Sequence, residues 1–226
     1  MPRICVFDVN ETLLDLAALD LHFEYLFGDA SYRRAWFTQL LQSALVATVT
    51  DTYSDFGSLG IAALEMIAEC HNVRITEVDR LAMRDGMQHL PPHPEVHESL
   101  AQLKSAGLRL TALTNSTLKV AQAQLDNAGL TDLFEQIFSV DEVKRLKPSP
   151  EPYRMVAQRM GVNIGNIRLI AAHSWDVAGA LRAGCAAAFV ARPGMVLDPL
   201  VEKPDVVGKD LREVAEQILT RETANS

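Results

Sequence analysis

The sequence predicts an α/β fold, a doubly wound parallel sheet with an inserted helical cap subdomain. Two observations predict this fold. Short apolar runs rich in β-branched residues alternate with segments whose apolar residues recur every three or four positions, which indicates strands alternating with helices. After the first of these strands, residues 16–90 show helical periodicity alone, as expected for an insertion into such a fold.

The first predicted strand covers residues 4–7, Ile-Cys-Val-Phe, whose composition favours a buried strand over a helix at this length. Asp8 follows at its carboxyl end. That edge of an open α/β sheet faces the ligand crevice, so a functional carboxylate is one interpretation of Asp8. A helix-capping aspartate is the alternative.

Residues 16–90 are predicted to form the cap. Apolar residues recur at helical spacing in four stretches, at residues 16–26, 31–49, 60–72 and 76–87. The prolines within residues 90–94 disfavour helix and indicate the return to the core. We therefore predict a core domain of residues 1–15 and 91–226 and a cap of residues 16–90.

The remaining chain alternates between helix and strand. Predicted helices cover residues 95–106, 118–128, 153–160 and 211–219, and another ends at Arg182. Predicted strands cover residues 108–113, 134–140, 167–172 and 186–191. Residues 220–226 are expected to fray. This repetition predicts parallel strands with right-handed crossovers.

Composition limits the classes of function. The net charge of −8 argues against nonspecific binding to nucleic acid, and no run of eighteen apolar residues predicts a membrane span. The chain enters its first strand without room for a signal peptide, so we expect a cytoplasmic protein. Its three scattered cysteines predict neither disulfides nor a zinc site.

The polar residues that follow the strands form a pattern. A strand leads into Asp8-x-x-x-Thr12, another into Thr114-Asn115-Ser, and a later one into Asp176 ahead of Gly179-Ala180, while Lys147-Pro lies on a loop. In a parallel sheet these residues lie at one edge. Together they resemble the haloacid dehalogenase superfamily, and the position of the helical insertion resembles its first type of cap.

Two positions separate the branches of that superfamily. Phosphatases carry a second aspartate two residues after the nucleophile, as general acid, and a Gly-Asp motif for magnesium. Here these positions hold Asn10 and Ala172. A halide leaves without a proton, so dehalogenation can dispense with both acids.

Further matches resemble the type II, L-2-haloacid dehalogenases: Trp175-Asp176 with Gly179-Ala180, and Lys147 followed six residues later by Tyr153. The resemblance implies hydrolysis of short L-2-haloalkanoic acids through an aspartyl ester on Asp8, with no cofactor or metal. It also implies dimerisation through an apolar cap helix. The rival hypotheses are a magnesium-dependent small-molecule phosphatase and a catalytically degenerate ligand-binding member.

The resemblance also implies roles for the remaining residues. Lys147 would offset the charge of Asp8, Asp176 would orient or deprotonate water, and Thr12 and Thr114 would hydrogen-bond the nucleophile. Substrate or halide contacts are expected from Asn10, Asn115, Tyr153, Trp175, His173, Phe37 and Arg34.

Some positions depart from the family pattern. The cap arginine expected near the halide falls at Phe37, and Arg33 or Arg34, one helical turn earlier, could reach the same face. Glu11 replaces a glycine. His173 replaces an asparagine, and either a role in assisting Asp176 with water or a structural hydrogen bond is consistent with it.

Overall fold

The computed structural model describes residues 4–223, in which six parallel strands form one sheet. The strands are β1 (Ile4–Phe7), β2 (Leu110–Thr114), β3 (Gln136–Ser139), β4 (Ile167–Ala171), β5 (Ala186–Val190) and β6 (Val206–Gly208). Their order is β3-β2-β1-β4-β5-β6. The strand order reverses between β1 and β4, the place where open α/β sheets bind ligands. The predicted fold class is confirmed.

The strand β6 was missed by the sequence prediction, which gave five strands. It has only three residues and lies at the edge of the sheet, beside β5. So short a segment shows no periodicity. Gly208 closes it where the chain turns toward the final helix, and a Cβ there would lie 2.9 Å from Val214.

The helices of the core alternate with the strands. These helices are Val96–Ser105, Leu118–Asn127, Pro150–Met160, Ser174–Ala183 and Leu211–Thr223. The last helix continues through Thr223, four residues beyond its predicted end at residue 219, and the fraying of residues 220–223 stays a prediction. Residues 224–226 of that prediction lie outside the described part of the chain.

After β1, the chain forms only helices as far as residue 88. A 3-10 helix at Leu16–Leu19 precedes α1 (Asp20–Phe27), α2 (Tyr32–Val49), α3 (Phe56–Cys70) and α4 (Glu77–Gln88), and the five core helices above follow as α5 to α9. Residues 16–88, all of which are described, contain no strand. Buried apolar side chains form one continuous core from the sheet into these helices.

The chain leaves the core near residue 15 and returns to it near residue 91. Backbone hydrogen bonds join these two segments at the proposed cap boundary. The N–H of Asp15 donates to the carbonyl of Pro91 at 2.8 Å, and the N–H of His93 donates to the carbonyl of Leu13 at 2.9 Å. The cap limits of residues 16 and 90 stay a prediction.

The end of α4 is attached to α6 by two side-chain amides. Gln124 donates to the carbonyl of Met87 at 2.7 Å, and Asn127 donates to the carbonyl of Gln88 at 2.9 Å. These bonds satisfy carbonyl groups that a helix end leaves without intrahelical partners.

Among the helices of residues 4–223, none is both long enough and apolar enough to cross a membrane.

The close approach of α8 to the loop before α7 depends on Gly179. A Cβ there would lie 2.5 Å from the Cβ of Pro148 and 2.7 Å from the hydroxyl of Tyr153. We expect Gly179→Ala to lower the free energy of unfolding by about 1–3 kcal/mol, because this overpacking outweighs the better helix propensity of alanine. Urea unfolding measures the change.

Gly165→Ala is the matched control, because the nearest atom to its added Cβ would lie 4.0 Å away. Equal stability of the two variants would contradict the packing argument.

Candidate active site

Asp8 lies directly after β1 and is held from two sides. Its backbone N–H donates to the carbonyl of Ile170 at 3.0 Å, and the Thr12 hydroxyl donates to Asp8 Oδ2 at 2.6 Å. Thr12 Oγ1 in turn accepts the N–H of Ala172 at 2.9 Å, which joins the ends of β1 and β4. Asp8 is therefore a buried carboxylate of fixed orientation on a rigid element.

The Lys147 ammonium lies between two carboxylates. Nζ donates to Asp8 Oδ1 at 2.9 Å, to Asp176 Oδ2 at 2.5 Å and to the carbonyl of Leu113 at 3.1 Å. Burial lowers the pKa of Lys147, but the charges of Asp176 and Asp8 outweigh burial and raise it above its ordinary value. Lys147 is a cation with all three protons engaged.

The charge on Asp8 follows from the same contacts. Burial raises the pKa of Asp8, but Lys147 and His173 act in the opposite direction and hold it well below its usual range. Asp8 is thus ionised at neutral pH, as a nucleophile must be.

Asp176, near the start of α8, has both oxygens engaged. Oδ2 accepts from Lys147, and Oδ1 accepts from the Tyr153 hydroxyl at 2.5 Å. Burial raises the pKa of Asp176, Lys147 lowers it and Asp8 raises it, with a net increase. Burial beside Asp176 also raises the pKa of Tyr153, which is therefore a neutral hydrogen-bond donor.

His173 contacts two carboxylates. Nδ1 lies 3.4 Å from Asp8 Oδ2, and Nε2 lies 2.9 Å from Glu11 Oε2. Burial lowers the pKa of His173, but the hydrogen bonds and charges of Asp8 and Glu11 raise it to about 9. The imidazole stacks on Phe37 and on Trp175, with ring centroids at 5.8 and 5.2 Å.

Glu11 is a site residue whose role the sequence did not show. Its φ of 62° is in the left-handed region, which fits a position where the family has glycine. Its carboxylate contacts His173 on one side and the guanidinium of Arg33 on the other, at 3.6 Å. An acid at this turn was visible in the sequence, but its partners are distant in the chain.

Thr114, predicted to hydrogen-bond Asp8, and Asn115 and Asn10, predicted to contact substrate or halide, bond to other protein groups in the structure. Thr114 Oγ1 accepts the N–H of Ser116 at 3.1 Å, and no hydrogen bond between Thr114 and Asp8 is found in the described structure. Asn115 Oδ1 accepts the N–H of Lys147 at 2.9 Å, so it positions the lysine. The amide of Asn10 pairs with Ser116 and Gln124, at 3.3 and 3.0 Å.

The two candidate arginines face different surroundings. Arg33 is buried and pairs with Asp20 at 2.5 Å as well as with Glu11. Arg34 is exposed and lines a cavity of about 580 Å³, together with Phe37, Leu41, His173, Trp175 and Met195. The arginine that reaches the charged network is therefore Arg33, whereas Arg34 borders only the cavity.

A second cavity, of about 270 Å³, is mostly apolar. It is lined by residues that include Trp36, Phe56, Ile61, Met83, Met87 and Val120. Asp8 lines neither cavity, whereas His173 lines the larger one and also contacts Asp8. Within residues 4–223, no cluster of three or more His, Cys, Asp or Glu side chains could hold a metal ion.

Known proteins share this architecture along nearly the whole chain. The (S)-2-haloacid dehalogenase 2 of Pseudomonas sp. (strain CBS-3) is 27% identical over 214 residues, which are 94% of this chain and 93% of that protein. The (S)-2-haloacid dehalogenase 4A of Burkholderia cepacia is 28% identical over 198 residues, 85% and 84% of the two chains.

The chain is also similar in structure to solved L-2-haloacid dehalogenases. The structure of L-2-haloacid dehalogenase from Xanthobacter autotrophicus with chloropropionic acid covalently bound superposes with a TM-score of 0.89, at 26% identity, and covers 96% of this chain and 98% of that one. The family model for haloacid dehalogenase-like hydrolases matches residues 2–184. The resemblance inferred from the motifs is confirmed, and the chain belongs to the haloacid dehalogenase-like hydrolase family.

Proposed function

We propose that this hydrolase converts short L-2-haloalkanoic acids into 2-hydroxy acids, without a metal, through an aspartyl ester on Asp8. The observation that carries the proposal is the state of Asp8, an ionised carboxylate held by Lys147 and Thr12 at the ligand edge of the sheet. Position 10, two residues later, offers only an amide, already bonded to Ser116 and Gln124. The names of the relatives support the substrate class.

In the first step an Asp8 oxygen attacks C2 of the substrate, and the carbon–halogen bond breaks with its electron pair leaving on the halide. Lys147 and Thr12 fix the carboxylate, so that part of the entropy of alignment is lost on folding and not during the reaction. The leaving group needs no proton, which is consistent with an amide at position 10. The product of this step is a neutral ester of Asp8.

In the second step water attacks the side-chain carbonyl of the ester and releases the 2-hydroxy acid. Lys147 lies where it stabilises the charge that develops on the Asp8 oxygen. Tyr153 and Asn115 position Asp176 and Lys147, respectively. We propose His173, Trp175 and Phe37 as the wall that contacts substrate and halide, with Arg34 at the cavity entrance.

Replacement of the nucleophile is the direct test. With L-2-chloropropionate as substrate, we expect Asp8→Asn to lower kcat/KM for halide release by about 10⁴-fold, because an amide is a poor nucleophile. Asp85→Asn, an exposed acid on α4, is the matched control and should retain activity. Unchanged activity of Asp8→Asn would eliminate Asp8 as nucleophile.

Turnover in heavy-oxygen water tests the ester. After several turnovers, mass spectrometry should find the label in the peptide that contains Asp8, because water attacks the side-chain carbonyl of the ester. Label in the product alone after a single turnover, and none in the peptide after many, would show that water attacks C2 directly.

Metal independence is tested with a chelator. We expect EDTA to leave the rate of halide release unchanged, because Lys147 and not a metal ion offsets the charge of Asp8. The parallel assay uses p-nitrophenyl phosphate with magnesium. Phosphate release that EDTA abolishes, with no halide release, would assign the protein to the phosphatase branch.

We also propose a homodimer formed through the cap. The side chains of Leu21 and Tyr25 on α1 are 78% and 80% exposed, and Val49 at the end of α2 is 84% exposed. Leu21 and Tyr25 are four residues apart and so lie on one face of α1, and exposed apolar faces are typical of interfaces. Sedimentation at micromolar concentration should show a dimer that Tyr25→Lys dissociates, and a wild-type monomer would contradict the proposal.

A further inference from the structure

We propose that Arg192, held in place by Glu95, is a positioning residue for the nucleophile, and that it acts through the backbone of Thr12. Neither Arg192 nor Glu95 takes part in the reaction steps given above, and neither contacts Lys147. The inference rests on the proposed function, because it concerns the rate at which Asp8 attacks the substrate.

The guanidinium of Arg192 binds the turn that follows Asp8. Arg192 is the second residue after β5, and its side chain is buried. Nε and Nη2 both donate to the carbonyl of Thr12, at 3.2 and 2.8 Å, and Nη1 donates to Glu95 Oε1 at 2.5 Å. The planar guanidinium presents its donors in a rigid fork, so it can hold both acceptors at once in one fixed geometry.

Glu95 fixes the position of this guanidinium. It lies at the start of α5, directly after the chain returns from the cap. Its Oε1 also accepts the N–H of Leu211, the first residue of α9, at 3.1 Å. Burial raises the pKa of Glu95, but backbone hydrogen bonds and the charge of Arg192 lower it below its ordinary value, so Glu95 is a carboxylate at neutral pH. The anion that holds Arg192 is thus itself held by two helices of the core.

Thr12 connects Arg192 to the nucleophile. The Thr12 hydroxyl donates to Asp8 Oδ2 and accepts the N–H of Ala172. The position of that hydroxyl depends on the position of the Thr12 backbone, and the backbone carbonyl of Thr12 is the group that Arg192 binds. The guanidinium, the Thr12 backbone, the Thr12 hydroxyl and the Asp8 carboxylate are therefore connected in series.

The turn of residues 11–14 is held largely by groups distant in the chain. The carbonyls of Glu11 and Leu13 accept from Nε2 and from the backbone N–H of His93, at 3.3 and 2.9 Å. Burial and the charge of Arg192 lower the pKa of His93, so its ring is a neutral donor. The Thr12 carbonyl, between these two, accepts from a cation. Since hydrogen bonds from charged donors are the stronger ones, Arg192 makes the strongest of these three contacts.

A role for Arg192 as a substrate ligand fits these contacts less well. Arg192 borders the cavity of about 580 Å³, so an anion in this cavity would lie near it. However, each of its three nitrogens already donates to a protein oxygen, and Glu95 compensates its charge. We therefore expect loss of the guanidinium to slow the attack by Asp8 and to leave the affinity for substrate nearly unchanged.

The test removes the guanidinium without leaving a buried carboxylate unpaired, which would be destabilising in itself. Glu95→Gln keeps an acceptor oxygen and is the reference, and Arg192→Gln is added to it. In rapid-quench experiments with L-2-chloropropionate, we expect the added change to slow the first halide release about 10- to 100-fold, because misplacement by about 1 Å can cost about 10²-fold. The half-saturating substrate concentration should stay the same. Arg192→Lys should recover only part of the rate, since an ammonium lacks the fork.

A double-mutant cycle tests whether Arg192 acts through Thr12. Thr12→Val removes the hydroxyl that binds Asp8 and keeps the branched shape of the side chain. When Arg192→Gln is added to Thr12→Val in the same reference protein, we expect the first halide release to slow by less than about twofold further, because contributions of residues that act in series are not additive.

Arg168→Gln is the matched control. Arg168 is also a buried arginine paired with an acid, Asp205, but it lies near the amino end of β4, whereas the site lies at the carboxyl ends of the strands. We expect this variant to lower the free energy of unfolding without slowing the first halide release. It therefore separates the loss of a buried ion pair from the loss of positioning.

Hydrogen exchange gives a readout that does not depend on turnover. The N–H groups of Leu13 and Leu14 both donate to the carbonyl of Val9, at 2.9 and 3.1 Å. We expect these two amides to exchange faster in the Arg192→Gln protein than in the Arg168→Gln protein, because only the first variant releases the turn.

The possible failures can be told apart. A folded Arg192→Gln protein with an unchanged first halide release, or with a raised half-saturating concentration at an unchanged maximal rate, would overturn the positioning role. Equal slowing with and without the Thr12 hydroxyl would overturn the connection through Thr12. A wild-type protein that releases no halide would overturn the proposed function, and the exchange of Leu13 and Leu14 would then still decide whether Arg192 holds the turn.

Discussion

The ion pairs of Lys147 are the interaction on which the site depends. Its ammonium is fully buried between the carboxylates of Asp8 and Asp176, and both carboxylates share this one cation. Removal of one member from such a buried set typically costs about 3–5 kcal/mol, because an uncompensated charge remains. The same contacts that join the ends of the strands therefore also keep Asp8 ionised, as the proposed attack requires.

The pairs of Lys147 belong to a longer chain of alternating charge. In order, its members are Asp176, Lys147, Asp8, His173, Glu11, Arg33 and Asp20, with neighbouring side-chain atoms separated by 2.5 to 3.6 Å. The chain begins on α8, passes the end of β1 and ends on the cap helices α2 and α1. A change of charge at Asp8 thus acts directly on His173, while the cap contributes a cation without touching the nucleophile.

The sequence predicted those site residues that follow a strand or have recognisable neighbours in the chain. Asp8 and Thr12 follow β1, and Lys147 and Asp176 have recognisable neighbours, so their convergence follows from a parallel sheet. The Glu11–His173 pair joins residues 162 positions apart and has no local signal. On α2, adjacent positions point about 100° apart, so sequence alone did not distinguish buried Arg33 from exposed Arg34. Likewise, Thr114 was placed at the correct edge, but its hydroxyl bonds to its own loop.

Asn10 connects the loop after Asp8 to the cap through Gln124. Its amide bonds to Gln124, and Gln124 also donates to the carbonyl of Met87 at the end of α4. In the phosphatase branch an acid at this position gives a proton to an alkoxide, whereas a halide leaves as a stable anion. A site that expels halide therefore has no need for an acid here, and Asn10 instead links the loop after the nucleophile to the contact between cap and core. In the proposed dehalogenation, the absence of an acid at position 10 leaves ester hydrolysis as the only step that requires proton transfer.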